Sequence, residues 1–221
     1  MIKVHHLNNS RSQRVLWLLE EIGLDCEVIR YQRDARTMLA PASLRRIHPL
    51  GKSPIIEDGP LRLAETGAIV DYLVDRYGEG LAPPEKDETY WRYRYWLHYA
   101  EGSAMPPLLL KLLFTLMPKR APALLRPLVR KVSSQALTAL VNPQLKQHMD
   151  FWESELTKSE WFAGNEFSAA DIQMSFPLEA AAARAGLEQG HPKAIAFLDR
   201  IHARPAYQRA LEKGGPYQVG R

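Results

Sequence analysis

One segment divides this chain. Gly78-Glu79-Gly80-Leu81-Ala82-Pro83-Pro84 joins glycines, which loosen the backbone, to a double proline that neither a helix interior nor a central strand accepts. Upstream of it strand and helix signals alternate, and downstream no good strand is found. A chain punctuated in this way does not spread one sheet over its whole length. It predicts two parts: an α/β unit over residues 1–80 and an all-helical unit over 86–221.

The first part opens with Ile2–Leu7, a short run suited to a buried strand, broken by Asn8-Asn9-Ser10. Val15, Leu16, Leu18, Leu19 and Ile22 then recur at helical spacing, and Gly23 supplies a stop. Cys26–Tyr31 reads as a second strand, and Ser43–Ile47 as a short helical turn. Pro54–Glu57 and Leu61–Ala64 flank Asp58-Gly59, a strong hairpin signal. Thr66–Tyr77 is helical again, which gives the order βαβαββα. Beyond the linker, helices are expected over Asp87–Ala100, Ala104–Met117, Arg126–Ala139, Asn142–Leu156, Ala169–Ala185 and His191–Ala203.

Charge separates the two parts as well. The net charge of +4 comes from the second part, because acidic and basic residues balance over 1–80. Between Gly102 and Met149 stand Lys111, Lys119, Arg120, Arg126, Arg130, Lys131 and Lys146, with no Asp or Glu. No zinc-finger spacing or RNA-binding motif accompanies this patch, so nucleic acid is not the expected partner. The proline-broken segment 106–131 is read as a solvated face, with a membrane-surface or acidic-partner role as the alternative. The single cysteine, Cys26, excludes an internal disulfide and a dithiol site, and is read as a small core residue. No metal is expected: the histidines lack ligand spacing, and His5 and His6 point to opposite faces of a strand. The amino terminus lacks the apolar stretch of a signal peptide, and Ala104–Met117 is too short to span a bilayer; a cytoplasmic protein is expected.

Three local constellations carry chemistry. Asn8-Asn9-Ser10-Arg11-Ser12-Gln13-Arg14 lies between the first strand and the first helix. Its small polar side chains can cap that helix, or one hydroxyl can face outward to bind a thiolate beside the anion-attracting helix end. In Gly51-Lys52-Ser53-Pro54 a proline opens a strand. It is either an ordinary trans edge proline or a cis bond in a tight turn that frees the backbone of Ser53 for an extended ligand. Glu65-Thr66 precedes the third helix. Thr66 suits an N-cap, while the helix N–H groups suit a carboxylate and the Glu65 side chain an ammonium, the two charges of an α-amino acid.

Together these segments resemble the cytosolic glutathione transferases, most of all the subgroup typified by yeast and bacterial enzymes in which a strand leads into His-x-Leu-x-x-Ser-Arg. The matching residues are Val4 to Arg14, His48-Pro49-Leu50-Gly51-Lys52-Ser53-Pro54, Leu63-Ala64-Glu65-Thr66-Gly67, Tyr99-Ala100-Glu101-Gly102-Ser103 and Ser168 to Pro177. The resemblance implies a thioredoxin-like first domain, a helical second domain, a cis Pro54, and a homodimer. It implies glutathione as co-substrate, extended across the first domain. Its cysteine backbone would pair with Ser53, its γ-glutamyl end would sit at Glu65 and Thr66, and its glycine carboxylate would lie near Lys52.

The implied chemistry is physically sufficient. A thiol of pKa ~8.5 is only ~3% ionised at pH 7. Lowering that pKa by ~2 units takes ~2.7 kcal/mol in favour of the anion. A hydroxyl donor to a charged acceptor supplies roughly 1.5–3 kcal/mol, and a helix end ~0.3–1 kcal/mol more. The thiolate would then attack an electrophilic carbon, a peroxide oxygen or a disulfide. This family donates from tyrosine, serine or cysteine here, and the loop offers no tyrosine or cysteine. Ser10 is assigned as the donor, Asn9 as the alternative and Ser12 as the helix cap. Tyr95, Tyr99 and Ser103, at i, i+4 and i+8, are assigned to the wall of a pocket for a hydrophobic electrophile. Ser168 to Asp171 reads as a capping box stapled by Phe167 on Ile172, with a folding role only. The competing function is a non-catalytic protein of the same fold that binds hydrophobic ligands or a protein partner.

Overall fold

The computed structural model describes residues 1–84 and 86–219. The first part contains β1 (Ile2–Leu7), α1 (Ser12–Ile22), β2 (Cys26–Tyr31), α2 (Ala42–Ile47), β3 (Ile55–Asp58), β4 (Leu61–Ala64) and α3 (Thr66–Tyr77). The strands form one sheet in the order β2-β1-β3-β4. β1 and β2 run parallel, in register from Ile2 opposite Cys26 to Leu7 opposite Tyr31. β3 is antiparallel to β1, with Val4 opposite Ile56, and to β4. The turn between β3 and β4 places Gly59 at φ 57°, as the Asp-Gly signal requires. This is a thioredoxin-like arrangement, with α1 crossing over between the parallel strands.

Helix α1 is buried continuously from Ser12 to Leu19. Its apolar residues are not confined to one stripe, because the sheet and α3 cover part of it and helices of the second part cover the rest. Gly23 ends it in the left-handed conformation at φ 74°, returning its N–H to the Leu19 carbonyl.

The second part begins with α4 (Glu88–Tyr99), capped by the Asp87 carboxylate, which accepts the Tyr90 N–H at 3.0 Å. A π-helical turn over Ala100–Ala104 joins it to α5 (Met105–Arg120). α6 (Arg126–Ala136) continues through a second π-helical turn, Leu137–Val141, into α7 (Asn142–Lys158). α8 (Ala169–Arg184) is the central strut, buried on every face from Ala169 to Ala181. Its alanines let α4, α5, α1 and α3 approach closely. The expected capping box is present: Asp171 accepts the N–H groups of Ser168 and Phe162 at 2.9 Å each. Phe167 packs its ring on Trp17 and Trp161, under the Arg204 guanidinium.

α9 (Pro192–His202) is followed by α10 (Pro205–Gly214), a helix beyond the last one expected from the sequence, His191–Ala203. Pro205 opens it at the first helical position. It returns to the first part and packs along α1, with Arg204 on Glu21, and Arg209 and Lys213 on Glu20.

Candidate active site

β1 ends against the loop that starts α1, and every member of that loop is fastened. The Asn8 side-chain oxygen accepts the Arg33 N–H at 2.8 Å. Asn9 adopts φ 49°, a left-handed conformation that asparagine tolerates better than most residues. Its Oδ1 accepts the Gln218 N–H at 2.8 Å, so residues near Gln218 lie on it, and its amide N–H₂ has no partner among the described residues.

Ser10 is buried. Its hydroxyl sits 2.8 Å from that of Ser12, which in turn is 2.9 Å from His6 Nδ1. Burial first, and Arg30 second, pull the His6 pKa down to about 4, so the ring is neutral at pH 7. The Ser12 hydroxyl has two acceptors on β1, the Leu7 carbonyl at 3.4 Å and, in the tautomer protonated at Nε2, His6 Nδ1. Ser12 then takes no proton of its own toward Ser10, and the Ser10 O–H can point either inward to Ser12 or outward to a sulfur. The cap assignments change accordingly. Ser12 is the first helical residue and turns its hydroxyl back to β1, while Ser10 accepts the N–H groups of Ser12, at its Oγ, and of Gln13, at its carbonyl.

The second segment is locked to the same strand. The Ser53–Pro54 bond is cis. The Ser53 hydroxyl donates to the His5 carbonyl at 2.8 Å and accepts the Leu7 N–H at 3.2 Å. Pairing of β1 with β3 starts only at Ile55, so the Ser53 main chain lies outside the ladder. Lys52 is exposed and has no ion-pair partner among the described residues. Gly51 before it stands at φ 57°, with Arg45 packed where a Cβ would project.

At the start of α3 the N-cap is Glu65, and Thr66 is already helical. Glu65 holds φ 73°, a strained conformation for a side-chain-bearing residue, and no side chain caps this helix. The first N–H groups of α3 therefore remain open to an anion. Beside them is Gln173 of α8, wholly buried, with neither side-chain polar atom partnered within the described residues.

The sequence reading missed the charged cluster that ties this site to the helical part. Glu101, in the first π-helical turn, binds Arg11 Nε through both oxygens at 2.8 Å and also binds Arg14. Arg14 is fully buried, and its second guanidinium nitrogen donates to the Gln173 carbonyl at 2.5 Å. Both guanidinium groups lie over the Phe176 ring, at 5.1 and 5.3 Å. Burial acts to raise the Glu101 pKa, but Arg14 and Arg11 outweigh it and hold the carboxylate below its usual range. Two cations meet one anion, which leaves positive charge next to Ser10. The advance signals were Arg11 and Arg14 in the first constellation and Glu101 in a separate matched motif, with nothing in the sequence to join them.

The assigned electrophile wall is rearranged. Tyr95 is half exposed and stacks on Tyr99 with ring centroids 5.4 Å apart. Tyr99 is buried, and its hydroxyl binds His148 and accepts the Trp152 indole N–H at 3.1 Å. The π-helical turn inserts a residue after Tyr99 and carries Ser103, which is exposed, off the row.

With this geometry in view, the chain was compared with known proteins. The glutathione S-transferase N-terminal domain model matches residues 1–75, and the C-terminal domain model matches 116–205. The chain belongs to the glutathione S-transferase family. Glutathione S-transferase 3 of Schizosaccharomyces pombe is 34% identical, over 96% of this chain and 88% of its own. Glutathione S-transferase 1 of Saccharomyces cerevisiae is also 34% identical, over 96% and 95%. Among solved structures, a glutathione S-transferase of Actinobacillus pleuropneumoniae aligns with TM-score 0.80 and 33% identity, over 97% of this chain and 93% of that one. A sphingomonad transferase solved with glutathione aligns with TM-score 0.73 and 25% identity, over 96% and 98%.

Proposed function

We propose that this glutathione transferase uses the Ser10 hydroxyl to stabilise the glutathione thiolate for attack on a hydrophobic electrophile. One observation carries the reading. The Ser10 loop and the Ser53 turn are both referenced to β1, through Ser53 on His5 and Leu7 and through Ser12 on His6. A hydroxyl donor and an unladdered backbone are thereby held in fixed relation, as an extended thiol peptide needs. The α1 N-terminus and the excess charge of Arg11 and Arg14 add to the anion's stability. Asn9, whose amide N–H₂ has no partner among the described residues, is the alternative donor.

In this reading Glu65 holds the γ-glutamyl ammonium, and the open α3 N-terminus around Thr66 holds the adjoining carboxylate. Lys52 faces the glycine carboxylate. Tyr95, backed by Tyr99, offers an apolar face to the electrophile, with Ser103 at its edge. A homodimer working in the cytoplasm completes the reading, and peroxide reduction by the same thiolate follows the same chemistry.

The test is an ultraviolet titration of enzyme-bound glutathione, comparing wild type with Ser10→Ala and Asn9→Ala. A raised thiol pKa in Ser10→Ala supports the assignment. A rise only in Asn9→Ala moves the role to the asparagine. Glutathione that binds without ionising below pH 8 would instead favour a binding protein without turnover.

A further inference from the structure

The faces that α5 and α6 turn toward each other do not close. Leu109, Leu113, Leu124 and Leu128 are exposed, and none of them lines the space between the helices. That space is a cavity of about 540 Å³, a size suited to a small molecule. Phe114 and Pro118 of α5 and Leu137 of the second π-helical turn line it half-buried, as its floor. Lys119 of α5 and Arg126 and Arg130 of α6 line it exposed, as its rim.

The rim gathers like charge. Arg126 and Arg130 are four residues apart on one side of a helix, where two cations repel. No Asp or Glu stands between Gly102 and Met149, and none of the three rim side chains has an ion-pair partner among the described residues. Surfaces that are merely solvated intersperse both signs. The lining adds a polar group from α6. Ser133 is 2% exposed, and its Oγ has no hydrogen-bond partner among the described residues. A hydroxyl is seldom buried without one. Arg126, Arg130 and Ser133 follow one another at helical spacing, so the hydroxyl and both guanidinium groups address the same space.

This set of groups selects a ligand. Three cations exceed what a single carboxylate neutralises. A phosphate monoester carries close to two negative charges at pH 7, and its oxygens match the guanidinium fork. The apolar floor calls for an organic body on that phosphate. Phe114 lies about 20 Å along the helix from Glu101, which keeps the groove apart from the Ser10 loop.

We propose that the groove between α5 and α6 is a second ligand site, which takes an organic phosphate. The phosphate sits among Lys119, Arg126 and Arg130 with the Ser133 hydroxyl donating to it, and the organic body covers Phe114 and Leu137. This inference does not depend on which residue activates the thiol.

The experiment is titration calorimetry of the full chain with 1-naphthyl phosphate. S-hexylglutathione is present throughout, at a concentration that stops transferase turnover, so that the catalytic site is closed to the probe. One molecule should bind per chain, and added salt should weaken it. 1-Naphthol, without the charge, and inorganic phosphate, without the apolar body, should each bind about tenfold more weakly or worse. Arg126→Ala/Arg130→Ala should lose about tenfold in affinity, and Ser133→Ala severalfold. Lys131→Ala, which removes a cation of α6 that does not line the groove, should bind like wild type. All three variants should keep the wild-type rate toward a water-soluble electrophile, which shows that they fold. No uptake of 1-naphthyl phosphate overturns the proposal, as does an equal loss in Lys131→Ala. Inorganic phosphate binding as tightly as the naphthyl ester overturns it too, since the groove would then hold an adventitious ion only. Uptake seen only without S-hexylglutathione would give the ligand to the catalytic site and overturn the second one.

Discussion

Two helix N-termini in this molecule begin with similar sequence ingredients and end in opposite states. At α8, Ser168 and Asp171 close the helix on itself, and the carboxylate is buried with its hydrogen bonds satisfied from within. At α3, Thr66 has already entered the helix, Glu65 sits in a strained conformation, and no side chain caps the first turn. The first arrangement spends its polar groups on folding. The second keeps backbone donors open at the cost of strain, which is what a site for an anion requires. The loop at α1 stands between them: its N-cap, Arg11, makes no side-chain cap hydrogen bond, while the Ser10 hydroxyl accepts the Ser12 N–H and still has a proton that can be redirected.

The largest expected effect tests the closed end. Asp171→Ala leaves the buried N–H groups of Phe162 and Ser168 without a partner and should cost roughly 3–5 kcal/mol of stability, read by urea denaturation. Glutathione affinity of the folded fraction should not change. A loss below 1 kcal/mol would mean that the capping box is dispensable and the contrast with α3 is overdrawn.

The next effect is pH dependence from His6. Its pKa in the folded protein, about 4, lies below the unfolded value of 6.5, so the unfolded chain binds more protons between them. The stability it contributes is complete above pH 6.5 and is lost as pH falls toward 4, by about 3 kcal/mol in all. His6→Asn should flatten that part of the stability profile. A profile that keeps its wild-type slope would remove His6 from the hydroxyl chain.

Ser10→Ala should raise the pKa of bound glutathione by one to two units, or ~1.4–2.7 kcal/mol, while changing its affinity much less. The smallest effect is the most discriminating. Glu65→Gly removes the strained side chain and should raise stability by up to about 1 kcal/mol while weakening glutathione binding. If both stability and binding fall, Glu65 is a structural cap like Asp171 and the contrast fails.

What the sequence determined by itself is local. The hairpin at Asp58-Gly59, the stop at Gly23, the box at Ser168 to Asp171 and the order βαβαββα each follow from backbone preferences of residues close together in the chain. The positions of Ser10, Ser53 and Glu65 were legible for the same reason. What tertiary structure decided is every contact made across the chain. Arg11 and Arg14 meet Glu101 only because α8 and the π-helical turn bring the helical part onto α1, and no local pattern specifies which carboxylate a buried arginine will find. Ser103 was placed on one row with Tyr95 and Tyr99 because helical spacing cannot register the extra residue of a π turn. The leucines of α5 and α6 satisfy the helical pattern as well as any core residue. That they face outward depends on where the neighbouring helices end, because hydrophobic periodicity specifies a face and only packing specifies what covers it.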